Sequence, residues 1–322
     1  MKKYTHAWLA FKAIERLKSA TITQSYRSYA DSLIDWFSDN RDGVIQGAWY
    51  PDAVIKDMAS SHVLKFTPSG PTPGKFGYLP TAYEFYRLGK NSPLRQRSYI
   101  IDPKTNLPDR CEAIAQAVID NLKMQEIEPK GSAIAPTDNH VATLLFMLSH
   151  YLADAHMPLH CDSRPFSDGW NLHARMEQLW DDEIKKFYAI DFNNERFYYD
   201  PEGFPLFKAD SRTDYESAFL DEVDRRLSER QFSVGWGRDN GNVWDFMSAL
   251  CQYSYLLSYE FIPEGLNVAD VTPANWDSLP NRKIAFRELS IAAFMDAIDS
   301  IARIWLRIWR KYMIWERDRK KE

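Results

Sequence analysis

Apolar residues recur at helical spacing along most of the chain, most regularly near its C-terminus. There, positions three, four and seven apart carry Ile291, Met295, Ile298, Ala302, Trp305, Ile308, Trp309 and Tyr312, while Arg303, Arg307, Arg310 and Lys311 lie mostly off this stripe. The spacing predicts one long amphipathic helix. Its apolar face is expected to pack in the protein core, and a position on a membrane surface is the alternative.

The same helical periodicity predicts seven further helices. They cover residues 7–19, 22–37, 110–125, 138–155, 172–188, 214–231 and 242–261, and the C-terminal helix covers 282–315. Alternating strand patterns are scarce, and only residues 197–207 are predicted to form a short hairpin or an irregular loop. These proportions predict an all-α fold in which the helices pack as a bundle. The candidate metal ligands described below add the expectation of a metal cluster in a cleft of this bundle.

Two segments interrupt the helices. Residues 67–80 contain four prolines and three glycines and are predicted to form a loop, and residues 194–214 are a second candidate. Neither segment is long or polar enough to be a domain linker, and the chain has no internal repeat. We therefore expect residues 1–322 to form a single domain.

Composition narrows the functional classes. Apolar residues make up 45% of the chain and charged residues 26%, which is ordinary for a globular protein. The net charge of −5 provides no overall basic field that would attract nucleic acid or anionic lipid. Three scattered cysteines, Cys111, Cys161 and Cys251, match neither a disulfide framework nor a CxxC metal-binding pair.

The ends of the chain carry no recognisable targeting or membrane signal. The first residues, MKKYTHAWLAFKAIERLK, lack the uninterrupted apolar stretch and the small-residue cleavage site of a signal peptide. No stretch approaches the ~20 apolar residues of a membrane span. These observations predict a cytoplasmic protein without a transmembrane segment, and they leave its oligomeric state open.

The stretch SHYLADAHMPLH, residues 149–160, carries the most suggestive chemistry. His150 and Asp154 are four positions apart and share one face of a predicted helix that begins at an N-cap, Asp138. Pro158 disrupts this helix, and His160 lies just beyond it. In the next helix, His173 and Glu177 repeat the same spacing. Zinc binds imidazole and carboxylate groups, and pairs at this spacing are a common way for a helix to hold one metal ion.

A single histidine–carboxylate pair on a helix is more often a surface hydrogen bond than a metal site. Two such pairs with His160 between them, all within 28 residues, favour a metal site more strongly. His140 lies ten positions before His150, about 15 Å along a helix, which is too far to share its metal ion. His140 and His156 are therefore predicted to lie at the surface or to support the ligands indirectly.

With the histidines near the N-terminus included, the chain resembles the superfamily of zinc-dependent phospholipases C and single-strand-specific nucleases. That family has an early histidine, an aspartate in a WxD-like turn, a histidine about a dozen residues later, then HxxxDxxxxxH, then HxxxE or HxxxD. The matching residues appear here in the family's order: His6, Asp52 in AWYPD, His62, His150 and Asp154 in HYLAD, His160, and His173 with Glu177. The resemblance covers residues 1 to about 185.

This resemblance implies three zinc ions per chain. Asp52, His62, His150 and Asp154 would hold one ion. Asp154 would bridge to a second ion, which His6 and the N-terminal residue would also bind. His160, His173 and Glu177 would hold the third. The resemblance also implies hydrolysis of phosphodiesters, with Asp52 as the group that orients the attacking water.

The N-terminus departs from the family pattern. Family members are typically secreted, and a tryptophan exposed by signal cleavage binds zinc through its amino and carbonyl groups. Here Met1 stands five residues before His6. The hypothesis is that Met1 itself binds zinc through these two groups, and the alternative is a frayed N-terminus with a weak or absent zinc site.

The sequence features that bear on the substrate point to two different branches of the superfamily. LHARMEQLWDD resembles the phospholipase pattern, whereas SDGWN and the spacing of Met1 from His6 resemble the nucleases. A phospholipid or another phosphodiester is the leading prediction, single-stranded nucleic acid is the alternative, and an inactive zinc-binding protein is the third. Aromatic residues that would suit either substrate, unless they belong to the core, are Trp8, Trp49, Tyr50, Phe66, Phe76 and Tyr78.

Overall fold

The chain forms an all-α structure in a computed structural model that describes residues 1–40, 45–70, 76–96, 99–129, 131–167, 172–208, 212–216, 218–234 and 242–321. Within these ranges there are eleven α-helices: α1 (Lys3–Ser19), α2 (Gln24–Asn40), α3 (Ala82–Arg87), α4 (Leu107–Ile127), α5 (Asp138–Asp154), α6 (Pro158–Cys161), α7 (His173–Phe187), α8 (Arg212–Tyr215), α9 (Phe219–Glu229), α10 (Val243–Phe261) and α11 (Phe286–Arg319).

Two small antiparallel sheets accompany the helices. Strand β1 (Phe66–Pro68) pairs with β2 (Tyr99–Ile101), and Phe66 lies opposite Ile101. Strand β3 (Ile190–Asp191) pairs with β4 (Arg196–Phe197). The segment predicted as a hairpin or irregular loop, 197–207, continues from β4 through a bridge between Tyr199 and Pro205.

Helix α11 is the central helix of the fold. It packs against α1, α2, α4, α5 and α9, and every residue of the predicted apolar stripe is buried, with Ile298 and Trp305 fully enclosed. Burial of each such side chain contributes about 1.5–3 kcal/mol relative to an exposed one. The stripe is therefore core, as predicted. No described helix is both long and apolar enough to cross a membrane.

Three details differ from the sequence predictions. The single helix expected over 214–231 is two helices, α8 and α9, because Ala218 has an extended backbone (φ −70°, ψ 155°) that a helix interior does not allow. The N-cap of α5 is Thr137, whose hydroxyl accepts a hydrogen bond from His140 N, and not Asp138, which lies in the first turn. The short helix α3 was not predicted, although Thr81 and Glu84 form a capping box at its start.

The loop predicted over residues 67–80 lies partly outside the described residues. Its first two residues belong to β1, and the remaining described positions have no helix or strand. Pro158 does not interrupt a continuing helix: α5 ends at Asp154, and Pro158 begins the short helix α6, where its missing N–H costs no helical hydrogen bond. This arrangement turns His160 away from the axis of α5.

Candidate metal centre

The ligands predicted from the sequence meet in one place. Helix α1 brings Met1 and His6, the turn Pro51–Ile55 brings Asp52, and the turn Ala59–His62 ends at His62. The end of α5 supplies His150 and Asp154, α6 supplies His160, and the first turns of α7 supply His173 and Glu177. Three groups have ligand atoms within 4.8 Å of one another: His6, Asp52 and His150; His62, His150 and Asp154; and His160, His173 and Glu177.

The first part of the cluster surrounds the C-terminal end of α5. One carboxylate oxygen of Asp154, Oδ2, lies 3.0 Å from His62 Nδ1 and 3.2 Å from His150 Nε2. The two ring nitrogens are 3.1 Å apart. Asp52 Oδ1 lies 3.8 Å from His62 Nδ1 and 3.7 Å from His150 Nε2. Four ligand atoms therefore converge on a small volume, as the family resemblance implies for one metal ion.

The backbone fixes the orientation of His150. Its Nδ1 lies 2.8 Å from the carbonyl oxygen of Ala48, which can only accept a hydrogen bond, so Nδ1 donates its hydrogen there and Nε2 is the ring nitrogen that faces the cluster. The turn that carries Ala48 can approach α5 closely because residue 47 is glycine. A Cβ at Gly47 would lie 2.9 Å from Thr143 O, inside contact distance. A carbonyl acceptor behind a histidine is the usual arrangement around a metal-binding imidazole.

Met1 and His6 complete a second part of the cluster. The buried amino group of Met1 lies 2.9 Å from Asp154 Oδ1 and 2.8 Å from Glu177 Oε1. His6 Nε2 lies 3.1 Å from the Met1 carbonyl oxygen and 3.6 Å from Asp154 Oδ1. The His6 ring stacks on His150 with centroids 3.8 Å apart. Met1 is thus docked and not frayed, and both groups expected to bind metal face the cluster.

The third part lies between α6 and α7. Glu177 Oε1 is 2.9 Å from His173 Nε2 and 3.3 Å from His160 Nε2. His160 Nδ1 also approaches Asp154 Oδ1 at 3.6 Å. The three parts form one continuous cluster, because the Met1 amine contacts both Asp154 and Glu177.

The local electrostatics favour the metal-binding protonation states. Burial opposes ionisation of Asp154, but the Met1 ammonium, His150 and His160 hold the pKa of this carboxyl well below its usual range. Burial and neighbouring positive charge lower the pKa of His6, and burial lowers that of His160 to about 4. Ionised carboxylates and neutral imidazoles are the forms that bind metal ions.

His62 and the Met1 amine depart from this pattern. Burial opposes a charge on His62, but its hydrogen bond to Asp154 and the charge of that carboxylate raise the pKa of the imidazole. The Met1 amine departs from the pattern as well. Burial alone would lower its pKa, yet the carboxylates of Asp154, Glu177 and Asp52 raise it to about 11. The group is therefore an ammonium ion in the absence of metal, and it would have to lose a proton to become a ligand. Its positive charge occupies a position where the surrounding carboxylates favour a cation.

The donor set of the cluster fits a metal centre. His6 Nε2, His62 Nδ1 and His160 Nε2 face the neighbouring carboxylates. Each of these rings has a second nitrogen that is buried without a hydrogen-bond partner among the described residues. Together with two buried carboxylates, these imidazoles form a donor set that could hold metal ions, and the chemistry of the set fits zinc.

Supporting residues escaped the sequence prediction. Asp181, on α7, accepts hydrogen bonds from Tyr4 N at 2.9 Å and Thr5 N at 3.1 Å, and so caps the start of α1 beside Met1. Asp57 and Tyr151 form a second support next to His62. The DD pair in LWDDEI was visible in the sequence, but nothing there distinguishes a capping aspartate from a solvated one.

The two remaining histidines do not join the cluster. His140 is exposed, as predicted. His156 is buried, and its Nε2 lies 3.0 Å from Ser300 Oγ on α11, so of the two predicted alternatives the surface position does not hold for this residue. Burial, and then the Arg303 cation, lower the pKa of His156 to about 3. It is a neutral core residue that joins the end of α5 to α11.

The aromatic residues considered for substrate binding belong mostly to the core. Trp8, Trp49 and Phe66 are buried, Tyr50 and Phe76 are partly buried, and only Tyr78 is well exposed. The SDGWN stretch lies almost entirely outside the described residues. No protein-family model and no curated protein matches the chain, so the resemblance rests on the residues themselves.

Adding residues before Met1 is expected to lower the number of metal ions bound at saturation. In a chain that begins at Met1, such an extension converts the ammonium into an amide and forces extra atoms into a buried site. We expect loss of about one metal equivalent, measured by elemental analysis of the dialysed protein. The control carries the same extension after Lys321, which is exposed. Equal stoichiometry in both proteins would exclude Met1 as a ligand.

Proposed function

We propose that the protein is a zinc-dependent phosphodiester hydrolase of the phospholipase C type. The observation that carries this proposal is the convergence of Met1, five histidines and three carboxylates in one largely buried cluster. The set includes every position of the motif series that resembles the family. Three zinc ions are the expected complement, distributed as the resemblance implies.

Zinc held there would stabilise charge on the phosphoryl oxygens and lower the pKa of a nearby water. The chain's own contribution begins with Asp52, the most exposed ligand at 53% of its side chain. In this proposal its carboxylate accepts a proton from an attacking water whose oxygen forms a new bond to phosphorus. The ester P–O bond then breaks, and the leaving oxygen keeps the bonding electrons and takes a proton from bulk water, so that the alcohol is released.

The surface next to Asp52 supports a lipid substrate over a nucleic acid. Val54, Ile55 and Met58 are 64%, 47% and 67% exposed. Single-stranded nucleic acid is bound by stacking on aromatic rings, whereas these side chains are aliphatic and suit acyl chains or a lipid surface. Tyr50, the aromatic residue nearest to Asp52 in the sequence, is only partly exposed.

Parallel assays test the function and its substrate class. With zinc present, we expect turnover of bis-p-nitrophenyl phosphate and of phosphatidylcholine vesicles, and little cleavage of single-stranded DNA. Cleavage of DNA without lipid hydrolysis would instead identify a nuclease. Inertness toward all three substrates would identify an inactive zinc-binding protein.

Variants of the exposed aliphatic residues sharpen the same experiment. Replacing both Val54 and Met58 by serine removes apolar area that would be buried against lipid, and we expect vesicle hydrolysis to fall about tenfold. Turnover of the soluble ester should remain unchanged. The matched control is Ile134→Ser, since Ile134 is 66% exposed in a different loop.

A further inference from the structure

Asp52 lacks a contact of its own that would hold it in place. Its carboxylate makes no hydrogen bond to any residue in the described ranges, and the nearest ring nitrogens, on His150 and His62, lie 3.7 Å and 3.8 Å away. Asp154, by contrast, is buried and makes close contacts on both oxygens. The position of Asp52 is therefore set by the backbone segment that carries it.

That segment is a closed turn whose end is Asp57. It begins at Pro51, which is buried, and the N–H of Asp57 donates to the Pro51 carbonyl at 2.8 Å. Lys56, just before Asp57, has a left-handed backbone with φ 53°. A lysine rarely adopts this conformation without support from its surroundings. The turn thus depends on whatever anchors its final residue.

The side chain of Asp57 supplies this anchor. Its Oδ2 accepts a hydrogen bond from the Tyr151 hydroxyl at 2.6 Å and forms an ion pair with Arg110 Nη2 at 3.1 Å. Its Oδ1 accepts from Met58 N at 2.9 Å. Arg110 Nε also donates to the Tyr151 hydroxyl at 3.3 Å. One carboxylate therefore ties the turn to α4 and α5 together.

The same anchor reaches the metal ligands from a second side. Tyr151 follows His150 directly on α5, and its ring lies 5.1 Å from the ring of His62. The Asp57 carboxylate thus fixes the turn that carries Asp52 and also holds Tyr151, whose ring packs against His62 and His150. Displacement of Asp57 would move Asp52 relative to His62 and His150.

We propose that Asp57, held by Tyr151 and Arg110, is a positioning residue that sets Asp52 over the His62–His150 pair. The activity readout of this inference rests on the proposed function, whereas its metal-binding readout does not. The hydrogen bonds and ion pair that its side chain makes with described residues go to Tyr151, Arg110 and Met58, and none goes to a proposed ligand, so Asp57 acts through the closed turn.

The test measures coupling between Asp57 and Asp52 in zinc binding. We expect Asp57→Ala to weaken zinc binding about 10- to 100-fold, the usual effect of losing a group that orients a ligand. In the Asp52→Ala background, the same substitution should have almost no further effect, because the residue it positions is gone. Zinc affinity is measured by competition with a chromophoric chelator.

Two further variants separate positioning from general stability. Tyr151→Phe keeps the ring beside His62 and removes only the hydroxyl contact with Asp57. It should also weaken zinc binding, and it provides the test if Asp57→Ala fails to fold. Asp191→Ala is the matched control, because Asp191 also accepts hydrogen bonds at a turn, from Asn193 and Asn194. It should leave zinc affinity unchanged.

Additive effects of Asp57→Ala and Asp52→Ala on zinc affinity would overturn the proposal, as would normal zinc affinity in both Asp57→Ala and Tyr151→Phe. With coupling present, turnover of bis-p-nitrophenyl phosphate at saturating zinc should also fall about 10- to 100-fold in Asp57→Ala, since a small misplacement of a reacting group is costly. Coupling in zinc affinity without any diester turnover in the unmodified protein would sink the proposed function alone.

Discussion

Asp154→Asn is expected to abolish phosphodiester turnover and to remove more than one metal ion. Asp154 is the residue on which the parts of the cluster depend, since its two oxygens contact the Met1 amine and four imidazoles at 2.9 to 3.6 Å. These are Met1, His6, His62, His150 and His160. The loss of several kcal/mol of charge stabilisation corresponds to about a thousand-fold or more in rate.

The same substitution should destabilise the metal-free protein. Of its two ion-pair partners among the described residues, the Met1 ammonium would keep Glu177, and removal of one member of a buried ion pair typically costs about 3–5 kcal/mol. Elemental analysis and thermal unfolding measure the two effects separately. Glu177→Gln is the informative comparison, because it should empty mainly the site formed with His160 and His173. A full metal complement in Asp154→Asn would contradict the shared role of this carboxylate.

Removal of the metal by a chelator is expected to reduce turnover to background and to lower the melting temperature. Without a bound metal ion, imidazoles and carboxylates remain crowded together in a largely buried site, where the Met1 ammonium lies against Asp154 and Glu177. Each ion present at a thousand times its dissociation constant stabilises the folded state by about 4 kcal/mol. Calorimetry before and after treatment with the chelator measures the shift.

Adding metal back distinguishes zinc from other cations. Zinc should restore both turnover and melting temperature, whereas magnesium should restore neither, because it prefers oxygen ligands and keeps its water shell. Turnover that persists in excess chelator would show that the hydrolysis does not depend on metal. Recovery with magnesium alone would argue against an imidazole-rich site.

The sequence predicted which side chains come together better than it predicted the residues that support them. The helical spacing of His150 and Asp154, and of His173 and Glu177, places each pair on one face by geometry that does not depend on the rest of the fold. The long stripe of α11 is likewise a local pattern, and its burial followed. Such features are encoded within a few turns of one helix.

The supports depend on contacts between distant segments, and local patterns carry no information about them. Asp57 and Asp181 are ordinary acidic residues in the sequence, and their roles arise only when Tyr151 or the start of α1 packs against them. The sequence left the position of His156 open for the same reason, because its contact with Ser300 comes from the last helix. The extended backbone of Ala218 separates α8 from α9. The apolar periodicity of the sequence continues across this residue and therefore predicted one helix.

The capping of α1 by Asp181 links metal binding to a late step of folding. Tyr4 N and Asp181 are separated by 177 positions along the chain, and the Met1 amine and Asp154 by 153. Contacts between such distant segments form slowly, because the intervening chain must be ordered first. Until α7 has docked, the start of α1 lacks its hydrogen bonds to Asp181, and the cluster lacks His173 and Glu177. Tight metal binding should therefore appear late in refolding, and retained metal should serve as a marker of completely folded molecules.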